Sequence, residues 1–207
     1  MKQLSLTLAA AAILGLAACT PPAEAPADAP AAPVAETPAA APDAAPPAAV
    51  GTYAPTEALL AADGVMFPNP SGRGTGLQAA FGRSQTDVVD SLTRFRGAAP
   101  TVSQNSECGA GPMTFADWGD GLSLHFQEGV MVGWSAGEDA PRGFTTLTGI
   151  GIGSTLAQLR AAHPGVEVTV DSLGPEFGAD DVYGIASGTG PTATITHLWA
   201  GMSCNFR

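Results

Sequence analysis

Lysine is almost missing from this chain. Lys2 is the single one, and lysine and arginine together number eight against nineteen aspartates and glutamates, for a formal net charge of −11. Such a surface neutralises few phosphates, which excludes nucleic acid and anionic lipid headgroups as principal partners. Acidity also aids solubility, so it does not by itself require a cationic partner. Cysteine is scarce as well: Cys19, Cys108 and Cys204 are the full set, and no zinc-type pairing of cysteines is present. No serine occupies a G-x-S-x-G elbow, and no His–Asp pairing can be read from spacing. The glycine-rich stretch Gly149-Ile150-Gly151-Ile152-Gly153-Ser154-Thr155 lacks the lysine of a phosphate-binding loop and the spacing of a dinucleotide fingerprint. The longest apolar run, residues 4–18, is too short to span a bilayer as a mature helix.

What is present begins with that run. Lys2 gives a short positive start, the apolar core follows, and Leu16-Ala17-Ala18-Cys19 closes it. An apolar core ending in small residues reads as a secretory signal over 1–18, which is excluded from fold reasoning. The Leu-small-small-Cys ending resembles the lipobox of bacterial lipoproteins. That resemblance implies cleavage before Cys19, a diacylglyceryl group on its sulfur and acylation (palmitate is typical) of the new amino terminus. Several acyl chains on one residue anchor stably where one is marginal. Thr20 follows, where lipoproteins kept at the inner membrane often carry aspartate. The expectation is therefore a cell-envelope protein, membrane-attached through Cys19 and sorted to the outer rather than the inner membrane.

Residues 20–50 are almost all Ala, Pro and acidic side chains, with Glu24, Asp28, Glu36 and Asp43 and no Lys, Arg or aromatic residue. Such a segment buries too little apolar surface to offset its ordering entropy. It reads, with Cys19, as a disordered tether over 19–50. Proline-rich chain extends about 3.1 Å per residue, so the tether can reach up to ~90 Å. The remainder, 51–207, is one domain's worth of chain and holds seven arginines against fifteen acidic residues. In an oxidising compartment, Cys108 and Cys204 are most simply read as a disulfide.

Along this domain, Thr56 is placed to cap a short helix through Ala62 with Gly64 as its stop, and the Pro/Gly-rich stretch to Gly76 reads as loop. Ser84, with Asp87 three residues on, caps a helix whose apolar face is Val88, Leu92 and Phe95, ending at Gly97. Thr155 and Gln158 have capping-box spacing before Leu156 and Leu159, and Pro164-Gly165 follows as a stop. A helix cap accounts for both starts; phosphate binding accounts for at most one. Alternation over 122–134 predicts a hairpin turning at Gly129, and the same reading over 194–206 predicts a second hairpin turning at Gly201. Stretches 113–118 and 182–187 read as strands leading into Gly-rich turns.

The two helix starts are offset by 71 residues and the two hairpins by 72. Tandem repeats over about 82–137 and 149–207 are the expectation. The helix start Gly-x-(Ser/Thr)-x-x-(Asp/Gln)-(Val/Leu) and the strand turns with glycine resemble the repeat of β-lactamase inhibitor protein. They are similar also to the small outer-membrane assembly lipoproteins of that superfamily. The resemblance covers residues 82–207 and implies an α+β fold: two tandem helix-plus-antiparallel-sheet repeats sharing one sheet, helices on one face, the other face free to bind protein. His163-Pro164 and the segment 108–113 depart from a clean duplication, so no family binding residues carry over.

His125 and His197 occupy matched positions in the two hairpins, and the alternation of Leu122, Leu124 and Phe126 turns His125 away from the core. No carboxylate or cysteine stands at ligand spacing around either imidazole, so no metal or other cofactor is assigned. Asp180-Asp181 and Glu138-Asp139 read as solvated turns. Trp134 aligns with apolar positions and reads as core; Trp199, beside Gly201, reads as exposed. Trp199, Tyr183, His125 and His197 are the candidate protein-contact residues. The expected function is a tethered, non-catalytic protein-binding domain of the cell envelope. Inhibition of a periplasmic or extracellular hydrolase is the alternative, and an enzyme of unrecognised type the second.

Overall fold

The computed structural model describes residues 55–204. The expected signal segment, Cys19 and the Ala/Pro-rich tether lie outside the described residues, as do residues 205–207.

Among the described residues, two sheets and two helices share one core. The large sheet has eight antiparallel strands. One half is a meander of β4 (Thr101–Asn105), β5 (Met113–Asp117), β6 (Leu122–Gln127) and β7 (Val130–Ala136). The other is a meander of β9 (Val168–Asp171), β10 (Gly174–Ala179), β11 (Val182–Ala186) and β12 (Ile195–Gly201). The halves join where β7 pairs β12, with Trp134 opposite Ala200 and Ser135 opposite Trp199. The small sheet, in order β3-β2-β1-β8, comprises β1 (Glu57–Ala61), β2 (Gly64–Phe67), β3 (Leu77–Ala80) and β8 (Gly143–Thr145). The helices are α1 (Gln85–Arg96) and α2 (Leu156–Ala162).

Both helices begin at their expected caps. The Ser84 hydroxyl accepts from the Asp87 N–H, and Gly97 closes α1 in the left-handed conformation at φ 70°. Thr155 and Gln158 form a reciprocal capping box at the start of α2. Val88 and Leu92 from α1, and Leu156 and Leu159 from α2, enter the same hydrophobic cluster as Leu124, Phe126, Trp134 and Leu198 of the large sheet. Burying each such side chain contributes about 1.5–3 kcal/mol. The glycine run before α2 is held by close approach of other backbone. A Cβ on Gly151 would lie 2.5 Å from the Phe144 carbonyl oxygen, too near to be accommodated.

The fold differs from two helix-plus-sheet repeats on one shared sheet. It is predominantly β, with a second sheet built largely from residues upstream of 82. Width explains why. Eight strands at about 4.8 Å spacing make a face nearly 40 Å across. Helices of 12 and 7 residues, each about 10 Å in diameter, leave much of it uncovered. The small sheet fills the gap with Leu60, Phe67 and Phe144, all at most 1% exposed. It is pinned there by the Trp134 indole N–H, which donates to the Ala61 carbonyl at 2.8 Å.

Three local expectations change with it. Residues 57–61 form a strand rather than a helix, because Ala58 and Leu60 alternate inward and the segment pairs with β2 on one side and β8 on the other. Residues 195–201 form one strand that pairs with β11 and β7 and ends at Gly201, and residues 202–204 leave as a non-strand segment instead of returning as the expected second arm of the hairpin. The residue matches between 122–134 and 194–206 therefore superpose a hairpin on a single strand. A bulge between His125 and Phe126 shifts the phase of β7. Met131 is buried, whereas Val130 is 37% exposed and Met202 is 45% exposed.

Candidate functional site

One face of the large sheet packs on the helices and the small sheet. The strand registers put a different set of side chains on the other face. Across four strands, Ser123 pairs Ser135, Ser135 pairs Trp199, and Trp199 pairs Tyr183. Phe115 pairs His125, and Ile185 pairs His197. Side chains of directly paired residues share a face, so His125, His197, Trp199 and Tyr183 all point to the side away from the core. His125, His197 and Trp199 line a single depression of about 330 Å³ together with Phe115, Asp117 and Cys204. Tyr183 stacks on Trp199 with ring centroids 6.1 Å apart and planes 22° apart.

Their exposure is not uniform. His197 is exposed and Tyr183 is 38% exposed. Trp199 and His125 are buried, at 5% and 3%, against the expectation of two open imidazoles and an open indole. Tyr183 covers one face of the Trp199 ring. Residues 202–204 cover His125: its Nδ1–H donates to the Met202 carbonyl at 2.9 Å, and its Nε2 accepts the Ser135 hydroxyl at 2.9 Å. The carbonyl can only accept, which fixes the proton on Nδ1. Phe115 closes the ring edge-on at 5.0 Å. Burial pulls the imidazole pKa below its ordinary 6.5, and the hydrogen bond to Met202 opposes this only in part.

The covering strap is itself tied down. Met202 N–H donates to the Val132 carbonyl, and Asn105 Nδ2 donates to Cys204 Sγ at 3.3 Å. Cys108, in the β4–β5 connection, and Cys204 stand at disulfide distance, their Cα atoms 5.1 Å apart. The strap passes so close to β7 that a Cβ on Gly133 would lie 2.1 Å from the Met202 carbonyl oxygen.

On the described strands of this face the formally charged side chains are all carboxylates. Asp117, Glu176 and Asp171 point there by register. Arg73, Arg83, Arg94, Arg96, Arg142 and Arg160 all lie in loops or helices. Among the described residues no group of three or more His, Cys, Asp and Glu is arranged to hold a metal ion.

A second polar cluster lies on the opposite side of the sheet, and spacing gave no sign of it. His163, which ends α2, meets Asp180 through Nδ1 at 3.2 Å and Thr148 through Nε2 at 2.9 Å. Thr146 adds its hydroxyl to that of Thr148 at 3.0 Å. The hydroxyl–imidazole–carboxylate order is that of a hydrolytic relay. The Asp180 side chain, however, is 82% exposed, so solvent screens its hold on the imidazole. These residues form the polar rim of an apolar cavity. Three separate segments converge there, so no sequence pattern joins them. No family model, no curated protein and no solved structure matches this chain.

Proposed function

We propose that this protein is a cell-envelope lipoprotein, anchored through Cys19 to the outer membrane, that presents a non-catalytic protein-binding domain on an acidic Ala/Pro-rich tether. The anchor rests on the Leu16-Ala17-Ala18-Cys19 sequence and the tether on the composition of 20–50. A disulfide between Cys108 and Cys204 belongs to the same reading, since such bonds persist in an oxidising envelope compartment.

One observation carries the binding role: the outward face of the eight-stranded sheet gathers Tyr183, Trp199, His197 and Phe115 beside Asp117 and the exposed Asp171, and none of its described strands carries an arginine or lysine. Aromatic side chains are effective anchors at protein interfaces. A face whose charges are all carboxylates complements a partner that presents arginine or lysine. Steering by such charges weakens with salt, so association is expected to slow as ionic strength rises.

The experiment is capture from detergent-solubilised envelopes with the full chain, and with a Tyr183→Ala, His197→Ala double variant. The expected result is one dominant partner, retained by the parent chain, lost by the variant, and released by raised salt. A variant that retains the partner at unchanged melting temperature would move the contact elsewhere. Recovery of a hydrolase whose activity falls on binding would turn the reading into that of an inhibitor.

A further inference from the structure

The polar cluster of Thr148, His163 and Asp180 frames the mouth of a cavity of about 280 Å³ on the core side of the large sheet. Its interior is apolar, with Leu59 and Leu60 from β1, Leu159 from α2, and Phe177, Val182 and Leu198 from the large sheet. At the rim stands Leu147, which is 87% exposed. A leucine left so open beside an apolar opening extends the apolar surface outward. A cavity of about 150 Å³ lined by such side chains stays dry and holds a benzene ring. Nearly twice that room takes roughly ten to twelve heavy atoms. Buried apolar walls with a few convergent polar groups at one end are the usual make-up of a small-molecule site.

The rim sets the head of the ligand. Both nitrogens of His163 are already engaged, by Asp180 and by Thr148. The hairpin turn that carries Asp180 also carries Asp181, both at positive φ, which places a second carboxylate next in the chain. Such a mouth repels an anion and accepts a neutral or positive group. We propose that this cavity binds a single small amphiphile: an unbranched or aromatic apolar body of about ten heavy atoms bearing an uncharged or cationic head. The site lies on the face of the sheet opposite Tyr183 and His197, so it is separate from the protein-contact surface and independent of that reading.

Three ligands with the same chain and different heads test it: decylamine, decanol and decanoate, each titrated calorimetrically into the full-length protein below its micelle concentration. Decylamine and decanol are expected to bind saturably at one site per chain. Decanoate at neutral pH is expected to bind at least tenfold more weakly than decylamine. Ala179→Phe, which adds bulk to the cavity wall, is expected to weaken decylamine binding tenfold or more. Ala62→Phe does the same from another part of the wall if the first variant fails to fold. Absence of saturable binding by decylamine and decanol overturns the site. Binding undiminished in a folded filling variant also overturns it. Decanoate binding as tight as decylamine overturns the assignment of the head.

Discussion

His125 is held neutral by its surroundings. Its Nδ1 proton is committed to Met202 and its Nε2 lone pair to Ser135, and burial disfavours a second proton. The folded pKa is thus below the unfolded value of 6.5. In the interval between the two, the unfolded chain binds more protons than the folded one. Stability is then retained above 6.5 and lost as pH falls through that interval. The measurement is the melting temperature between pH 7.5 and 5. His125→Gln is expected to flatten the decline below pH 6.5, whereas an unchanged slope would place its origin in other groups. Arg96 illustrates the opposite case, a buried group kept charged. Its guanidinium is 3% exposed, pairs with Asp120 at 2.6 Å, and lies 5.0 Å and 4.9 Å from the ring centroids of Phe67 and Trp118. Its Nε and second terminal nitrogen have no hydrogen-bond partner. Asp120→Ala would leave that charge buried and unpaired, at a cost of about 3–5 kcal/mol. The expected fall in melting temperature is on the order of 10 °C, and a fall of only a degree or two would mean that water reaches the guanidinium.

At the scale of elements, the strap 202–204 decides how much of the outward face is open. It crosses β7 at Gly133, covers His125, and ends at Cys204 beside Cys108. Joining two cysteines 96 residues apart restricts the unfolded chain and stabilises by up to ~4–5 kcal/mol on the chain-entropy view. Thiol counting on the denatured, unreduced domain is expected to find neither cysteine free. Replacing Cys108 and Cys204 together by serine is expected to lower stability by a few kcal/mol. It should also loosen the strap, so that the imidazole pKa of His125 moves back toward 6.5 in proton-detected titration. Two free thiols in the native chain would remove the bridge and leave the strap held by hydrogen bonds alone.

For the whole molecule, the decisive question is attachment. If Cys19 carries acyl chains, the mature protein is expected to begin there, and its intact mass should exceed that of residues 19–207 by the acyl groups. Cys19→Ser is expected to move the protein from the membrane to the soluble fraction. Retention in the membrane with unchanged mass would assign the attachment to another feature. Because the Cys19 anchor and the sheet face are far apart in sequence, the soluble variant should still capture the same partner in vitro.

Local patterns were enough for much of the domain. Capping chemistry placed α1 at Ser84, whose hydroxyl accepts the Asp87 N–H, and α2 at Thr155, which forms a reciprocal capping box with Gln158, because each cap is made within four residues without help from the rest of the chain. Alternation placed β5, β6, β7 and β11, and the Glu128-Gly129 turn, for the same reason. Alternation also assigned His125 to the non-core face, where it lies. What alternation cannot report is what passes over that face. The strap that buries His125 comes from 77 residues away, and the Tyr183 ring that covers Trp199 comes from a neighbouring strand. The short stretch 57–61 has apolar residues compatible with either period, and only partners on both sides, β2 and β8, made it a strand. Alternation with a glycine at 201 predicts that residues 195–201 are half of a hairpin turning at Gly201. Its φ of 71° instead ends the strand where the strap begins. The second sheet and the Thr148–His163–Asp180 rim are likewise tertiary facts. Covering a face too wide for two short helices, and joining three distant segments around one cavity, are matters of area and proximity that no local spacing encodes.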